Sequence, residues 1–145
     1  MPSRDATTHW EGDLMTGKGA VTLDSSNAGV FPVSFPTRAG EPDGQTSPEE
    51  LIAAAHSSCF AMALSNELAT AGTPAASLDV SAEVTLDRIG GEFAITTIVL
   101  TVEASVPGMG DAAFQTAAAA AKAGCPVSKA LTGVAEISLV ATLRG

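Results

Sequence analysis

Residues 47–68, SPEELIAAAHSSCFAMALSNEL, read as one apolar helix with a cysteine, Cys59, near its middle. Ser47 can cap the free backbone N–H groups, Pro48 suits the first helical position, and Glu50 completes a Ser-x-x-Glu capping box. Leu51, Ile52, Ala55, Cys59, Met62 and Ala63 recur at the steps of a helix face, and Ala53, Ala54 and Ala61 leave the other faces without bulky polar groups. The pattern predicts a central helix buried on most sides. Gly72, followed by Thr73 and Pro74, supplies the stop.

Before this helix, Thr7 to Leu14, Gly17 to Ser25 and Gly29 to Phe35 read as a meander of three strands, broken at Met15-Thr16 and at Ser26-Asn27-Ala28-Gly29. TRAGEPDGQT, residues 37–46, has the Gly, Pro and Asp density of an irregular connection, with Arg38 directly after a strand end. Beyond the helix, Leu78, Val80, Ala82, Val84 and Leu86 alternate with polar residues, as in a strand with one face in a core. Gly90-Gly91 turns the chain into a second strand over 93–106. Asp111 is placed to cap a helix through Phe114 and the alanines 117–121, ended by Gly124. Cys125 and Pro126 then mark a break before a short helix through Lys129 to Leu131, and Glu136 to Leu143 reads as a last strand. The expected order is βββαββααβ. It makes an α+β fold, with the long helix packed on a curved, mainly antiparallel sheet.

The chain has 145 residues and no internal linker, which predicts one domain over 1–145 with residues 1–6 flexible. MPSRDATTHWEGD has no apolar signal-peptide core, and no stretch approaches a membrane span, so a soluble cytoplasmic protein is expected. A formal net charge of −9 argues against nucleic acid or an anionic membrane as partner. The only cysteines are Cys59 and Cys125. A chain of this size in a reducing compartment needs no structural disulfide, so the two thiols are either reactive or simply buried.

Several motifs at matching separations decide between these. They are His9-Trp10-Glu11-Gly12-Asp13-Leu14 with Gly17 and Gly19, Thr37-Arg38, Pro48-Glu49-Glu50-Leu51 through Ala54-Ala55-His56-Ser57-Ser58-Cys59-Phe60, and Cys125-Pro126-Val127-Ser128-Lys129-Ala130. Over nearly its full length the chain resembles the OsmC-like (osmotically inducible protein C) peroxidases, relatives of the organic hydroperoxide resistance proteins. The family usually has Asn where this chain has Ser47, and the two residues cap about equally well. The resemblance implies an OsmC-like fold in an intertwined homodimer, without metal or organic cofactor. It implies that Cys59 attacks the peroxide, that Cys125 resolves the product as a Cys59–Cys125 disulfide, and that Arg38 and Glu49 complete the site. The implied activity is reduction of organic hydroperoxides, and more weakly of hydrogen peroxide, in oxidative or osmotic stress. An external dithiol would be the reductant, a lipoylated protein among the candidates.

The chemistry makes its own demands. A free thiol with a pKa near ~8.5 is only a few per cent ionised at neutral pH. The helix dipole does little for Cys59, about three turns inside, because its effect fades within the first turn. A cation is required, and Arg38 offers a forked donor that stays charged when partly buried. Glu49 lies ten residues before Cys59, about 15 Å along a continuous helix, so one guanidinium cannot touch both. Either the helix is broken between them, or the Glu49 that orients Arg38 belongs to a second subunit. The second is the expectation, with active sites at a homodimer interface.

Other readings carry less. His56, one turn before Cys59, fits a packed helix histidine better than a general base. A zinc site from His9, His56, Cys59 and Cys125 lacks the close ligand spacing of structural sites. A cysteine hydrolase using Cys59 and His56 lacks an oxyanion motif. A redox-sensing or ligand-binding protein without turnover is the alternative function. Phe31, Phe35, Phe60, Met62, Met109 and Phe114 serve equally as an apolar substrate mouth or as core.

Overall fold

A computed structural model describes residues 1–144; Gly145, the last residue of the expected domain, lies outside them. The chain forms two compact units, residues 1–51 and the residues from 52 onward.

In the first unit β1 (Thr7–Glu11), β2 (Lys18–Thr22) and β3 (Val30–Val33) pair antiparallel in the order β1-β2-β3. Trp10 stands opposite Gly19 in the ladder. A Cβ on either Gly17 or Gly19 would lie 2.9 Å from the indole. Bare backbone at both positions is therefore what lets the ring lie across β2. The Asp13 carboxylate closes the β1–β2 connection by accepting from the N–H groups of Met15 and Thr16 and from the Thr16 hydroxyl. Those bonds, chiefly the ones from Thr16, hold its pKa below the ordinary carboxylate value.

A short helix, α1 (Phe35–Ala39), follows where a strand end and an irregular loop were expected. Ser34 caps it through the Thr37 N–H and hydroxyl, and Pro36 occupies its first turn. The alternation that suggested a strand to Phe35 breaks at that cap.

The long helix α2 (Pro48–Thr70) is unbroken and starts in the first unit. The Ser47 hydroxyl accepts from the Glu50 N–H at 3.1 Å, so the cap forms. The reciprocal half of the expected box does not, because the Glu50 carboxylate accepts from the Thr46 hydroxyl instead. At the other end Gly72 takes φ +85, Thr73 N–H bonds Leu68 C=O and Gly72 N–H bonds Ala69 C=O. This is a Schellman closure, which calls for a residue without a Cβ at that left-handed position.

In the second unit β4 (Ser77–Ile89), β5 (Glu92–Ser105) and β6 (Glu136–Arg144) form a separate sheet with β5 central. Gly90 and Gly91 both have positive φ and make the two-residue hairpin turn between β4 and β5. β6 pairs with β5 in parallel. That requires a crossover, which α3 (Asp111–Gly124) and α4 (Pro126–Ala130) supply. Two three-stranded sheets thus replace the one mainly antiparallel sheet expected, and the order becomes βββααββααβ. Asp111 is the first helical residue of α3; its N-cap is Gly110, with no side-chain bond.

Phe60, Leu64 and Leu68 of α2 share one buried cluster with Leu100, Val102 and Ala104 of β5 and with Phe114, Ala118 and Ala121 of α3. Buried residues on α2 beyond its first turn recur every fourth position, His56, Phe60, Leu64 and Leu68. This narrow stripe is not the face the spacing favoured, and Ala54, Ala55, Ser58 and Met62 are exposed. An alanine-rich helix has little amphipathic contrast to mark its inner side, so bulky Phe and Leu decide it. Phe60 and Phe114, fully buried, are core rather than part of a mouth. No helix among the described residues is long and apolar enough to cross a membrane.

Candidate active site

Arg38 stands in the last turn of α1, where its N–H bonds Ser34 C=O. The connection then folds back: Thr46 N–H bonds Pro32 C=O of β3, which returns the start of α2 to the end of the strand. Glu49, in the first turn of α2, thereby meets Arg38 of the same chain. Arg38 Nε donates to both carboxylate oxygens at 3.1 Å, and Arg38 Nη2 donates to Oε1 at 2.7 Å. The Glu49 side chain is 9% exposed and that of Arg38 34%. This corrects the expectation that the Glu49 orienting Arg38 comes from a second subunit. Sequence separation gave no hint that α1 and the returning loop close the pair within one chain.

In the second unit Cys59 Sγ and Cys125 Sγ are 3.1 Å apart with both cysteines reduced. Cys125 is fully buried at the junction of α3 and α4, and Cys59 is partly exposed. Burial, followed by the hydrogen bond with Cys125, raises the Cys59 thiol above its ordinary pKa. Burial also pushes Cys125 up. The Ser128 N–H, the Cys59 thiol, the Ser128 hydroxyl and the Val127 N–H together outweigh it and leave Cys125 below its ordinary value. Within this unit the surroundings thus favour the thiolate form more at Cys125 than at Cys59.

One turn from Cys59, His56 is fully buried, and its Nε2 lies 2.7 Å from the Ser128 hydroxyl oxygen. Among the described residues His56 Nδ1 is a buried side-chain atom without a hydrogen-bond partner. No three His, Cys, Asp or Glu among those residues gather as a metal site.

Residues 40–140 match the family model described as OsmC-like protein. Peroxiredoxin OsmC of Escherichia coli (strain K12) is 48% identical over 131 residues, 90% of each chain. The chain belongs to the OsmC-like family. The organic hydroperoxide resistance protein of Xanthomonas axonopodis pv. citri is more distant, 30% identical over 85% of this chain and 86% of its own. Among solved structures, an organic hydroperoxide resistance protein from Elizabethkingia anophelis superposes with a TM-score of 0.78 at 27% identity, covering 99% of this chain and 98% of its own.

In the sequence Ser128 lies within the Cys125 motif, but no role of its own was expected of it. Its signal was the spacing in Cys125-Pro126-Val127-Ser128, a polar side chain three residues after the residue that opens a helix. The packed role given to His56 carries a consequence for stability. Burial lowers the pKa of His56 in the folded chain, so the unfolded chain binds the proton more readily. The stability linked to this residue is complete above the unfolded value near ~6.5 and is lost as pH falls through the lower folded value. The melting temperature is expected to decline between pH 7 and pH 5, and His56→Met should flatten that decline. An equally steep decline in the variant would assign it to other groups.

Proposed function

We infer that the chain is a cysteine-based peroxidase that reduces organic hydroperoxides to alcohols. The contact of 3.1 Å between a partly exposed and a buried thiol is the observation that carries this reading. The family membership and the printed names of the relatives support it. Cys59 thiolate attacks the terminal peroxide oxygen; the O–O bond breaks, the alkoxide leaves and takes a proton, and Cys59 becomes a sulfenic acid. Cys125 thiolate then attacks that sulfur. An S–S bond forms, the S–O bond breaks, and hydroxide leaves to become water. An external dithiol reduces the disulfide by two exchange steps, in a reducing compartment such as the cytoplasm.

The cation for Cys59 is Arg38, held by Glu49. Ten residues of unbroken α2 separate Glu49 from Cys59, about 15 Å of rise. Helix side chains lean toward the amino terminus, so the Glu49 carboxylate points away from Cys59. An Arg38 clamped on Glu49 therefore serves the Cys59 of a second copy, in a homodimer with two shared sites. Met62, 71% exposed and one turn from Cys59, leaves an apolar position on α2 for that copy to cover. A monomeric mass in solution at working concentration would remove the shared site.

One equivalent of cumene hydroperoxide should convert the reduced protein to an intramolecular disulfide, read by intact mass as the loss of two hydrogens, and a dithiol should restore it. Oxidation that no dithiol reverses would instead favour a sensor without turnover.

A further inference from the structure

We propose that His56 and Ser128 are positioning residues for Cys125. Their buried bond pins α4 to α2 in the register that sets Cys125 against Cys59, and it turns the Ser128 hydroxyl toward the Cys125 sulfur. What the pinning serves rests on the peroxidase reading above; the pinning itself does not.

The geometry is a ladder of two rungs. His56 and Cys59 are three residues apart on α2, hence neighbours on one face, and Cys125 and Ser128 have the same spacing where α4 begins. The rungs are His56 Nε2 to Ser128 Oγ at 2.7 Å and Cys59 Sγ to Cys125 Sγ at 3.1 Å. A single sulfur contact lets a five-residue helix pivot about it, whereas a second contact one turn away holds the register. His56 is not spent on other side chains: its Nδ1 has no partner among the described residues, and the residue is fully buried.

That unpartnered nitrogen also sets the direction of the bond. A neutral imidazole carries one N–H, and it belongs on Nε2, because a hydrogen on Nδ1 would be a buried donor with no acceptor. Nε2–H therefore donates to Ser128 Oγ, and the hydroxyl hydrogen is free for the Cys125 sulfur. Burial, which lowers the His56 pKa, keeps the ring neutral. In the second unit the ionisable groups on the helices packed around Cys125 are Cys59, His56 and Glu67 of α2, Asp111 and Lys122 of α3, and Lys129 of α4. The two lysines line a cavity of about 550 Å³ with Ser128. The charged residues of β4, β5 and β6 are all exposed.

A stabilised Cys125 thiolate serves both halves of the cycle. It is the nucleophile that closes the disulfide, and it is the group expelled when a dithiol thiolate attacks the more accessible Cys59 sulfur. In that second step the S–S bond breaks, a mixed disulfide forms on Cys59, and the electron pair leaves on Cys125.

The test isolates one thiol. In a Cys59→Ser background, titration of thiolate absorbance reads Cys125 alone. Ser128→Ala should raise its midpoint by about one pH unit, the loss of one hydrogen bond to a charged group. His56→Met, which keeps volume but removes the N–H, should raise it in the same direction, and it carries the test if Ser128→Ala does not fold. Ser128→Thr, which restores a hydroxyl, should return the midpoint to the parent value. Midpoints unmoved in Ser128→Ala and His56→Met overturn the proposal, as does a Ser128→Thr midpoint as high as that of Ser128→Ala. With Cys59 present, Ser128→Ala treated with hydroperoxide should yield less disulfide and more Cys59 sulfinic acid. Failure of Cys59 to oxidise at all would sink the peroxidase reading and leave the titration result standing.

Discussion

Cys59→Ser is expected to lower hydroperoxide turnover by about a thousandfold or more, to the uncatalysed background. A serine hydroxyl is almost never ionised at neutral pH, and oxygen is a poorer nucleophile than sulfur toward the peroxide bond. The substitution removes the bond-forming atom, and no neighbouring group replaces it, because Cys125 is fully buried. Cys125→Ser should behave differently. It keeps the first oxidation, so one equivalent of peroxide is consumed in a burst, and it then stalls at the Cys59 sulfenic acid because no partner closes the disulfide. Stopped-flow consumption of cumene hydroperoxide separates the two. Multiple turnovers by Cys59→Ser with a dithiol would refute the assignment of the attacking sulfur.

Arg38→Met is expected to slow the oxidation of Cys59 at pH 7 by about 30- to 100-fold. Within its own unit Cys59 is held above the ordinary thiol value by burial. Bringing such a thiol down by about two units takes about 2.7 kcal/mol, an amount one partly desolvated ion contact can supply. Without it the pH–rate profile should move to higher pH by a similar interval, and the rate at pH 9 to 10 should approach that of the parent. A profile that keeps its midpoint while the rate falls would mean that Arg38 contributes through substrate binding instead. The same substitution strands a carboxylate that is only 9% exposed, so a stability loss of about 2–3 kcal/mol is also expected. The figure lies below the range for fully buried pairs because Arg38 is one-third exposed. Arg38→Met combined with Glu49→Leu removes both charges and should recover most of the stability while remaining slow. That separation of melting temperature from rate distinguishes a catalytic cation from a structural one.

Local signals in the chain were strong enough to place most elements. Ser47-Pro48 and Gly72 bracket α2 because caps act on backbone groups within a few residues. Gly90-Gly91 marks the hairpin because both turn positions need positive φ. The α+β class follows from the change of period, two in β4 and between three and four in α2. The family was legible for a related reason: its motifs are contiguous runs of residues, readable without knowing which of them meet.

What the chain did not disclose lies in contacts between distant residues. α1 has five residues, too short to show a period, and its cap was hidden in the tail of a strand pattern. The parallel seat of β6 depends on a crossover rather than on its own residues. Arg38 and Glu49, Cys59 and Cys125, and His56 and Ser128 are 11, 66 and 72 residues apart. Hydropathy and propensity carry no information about pairing over such distances, which depends on how helices and returning loops pack. Residue types and local caps were thus settled along the chain. Which carboxylate meets the arginine was settled by the loop that returns from α1 to the start of α2, and which hydroxyl meets His56 by the packing of α4 on α2 in the second unit, where the burial of Phe60, Leu64 and Phe114 sets α2 in place.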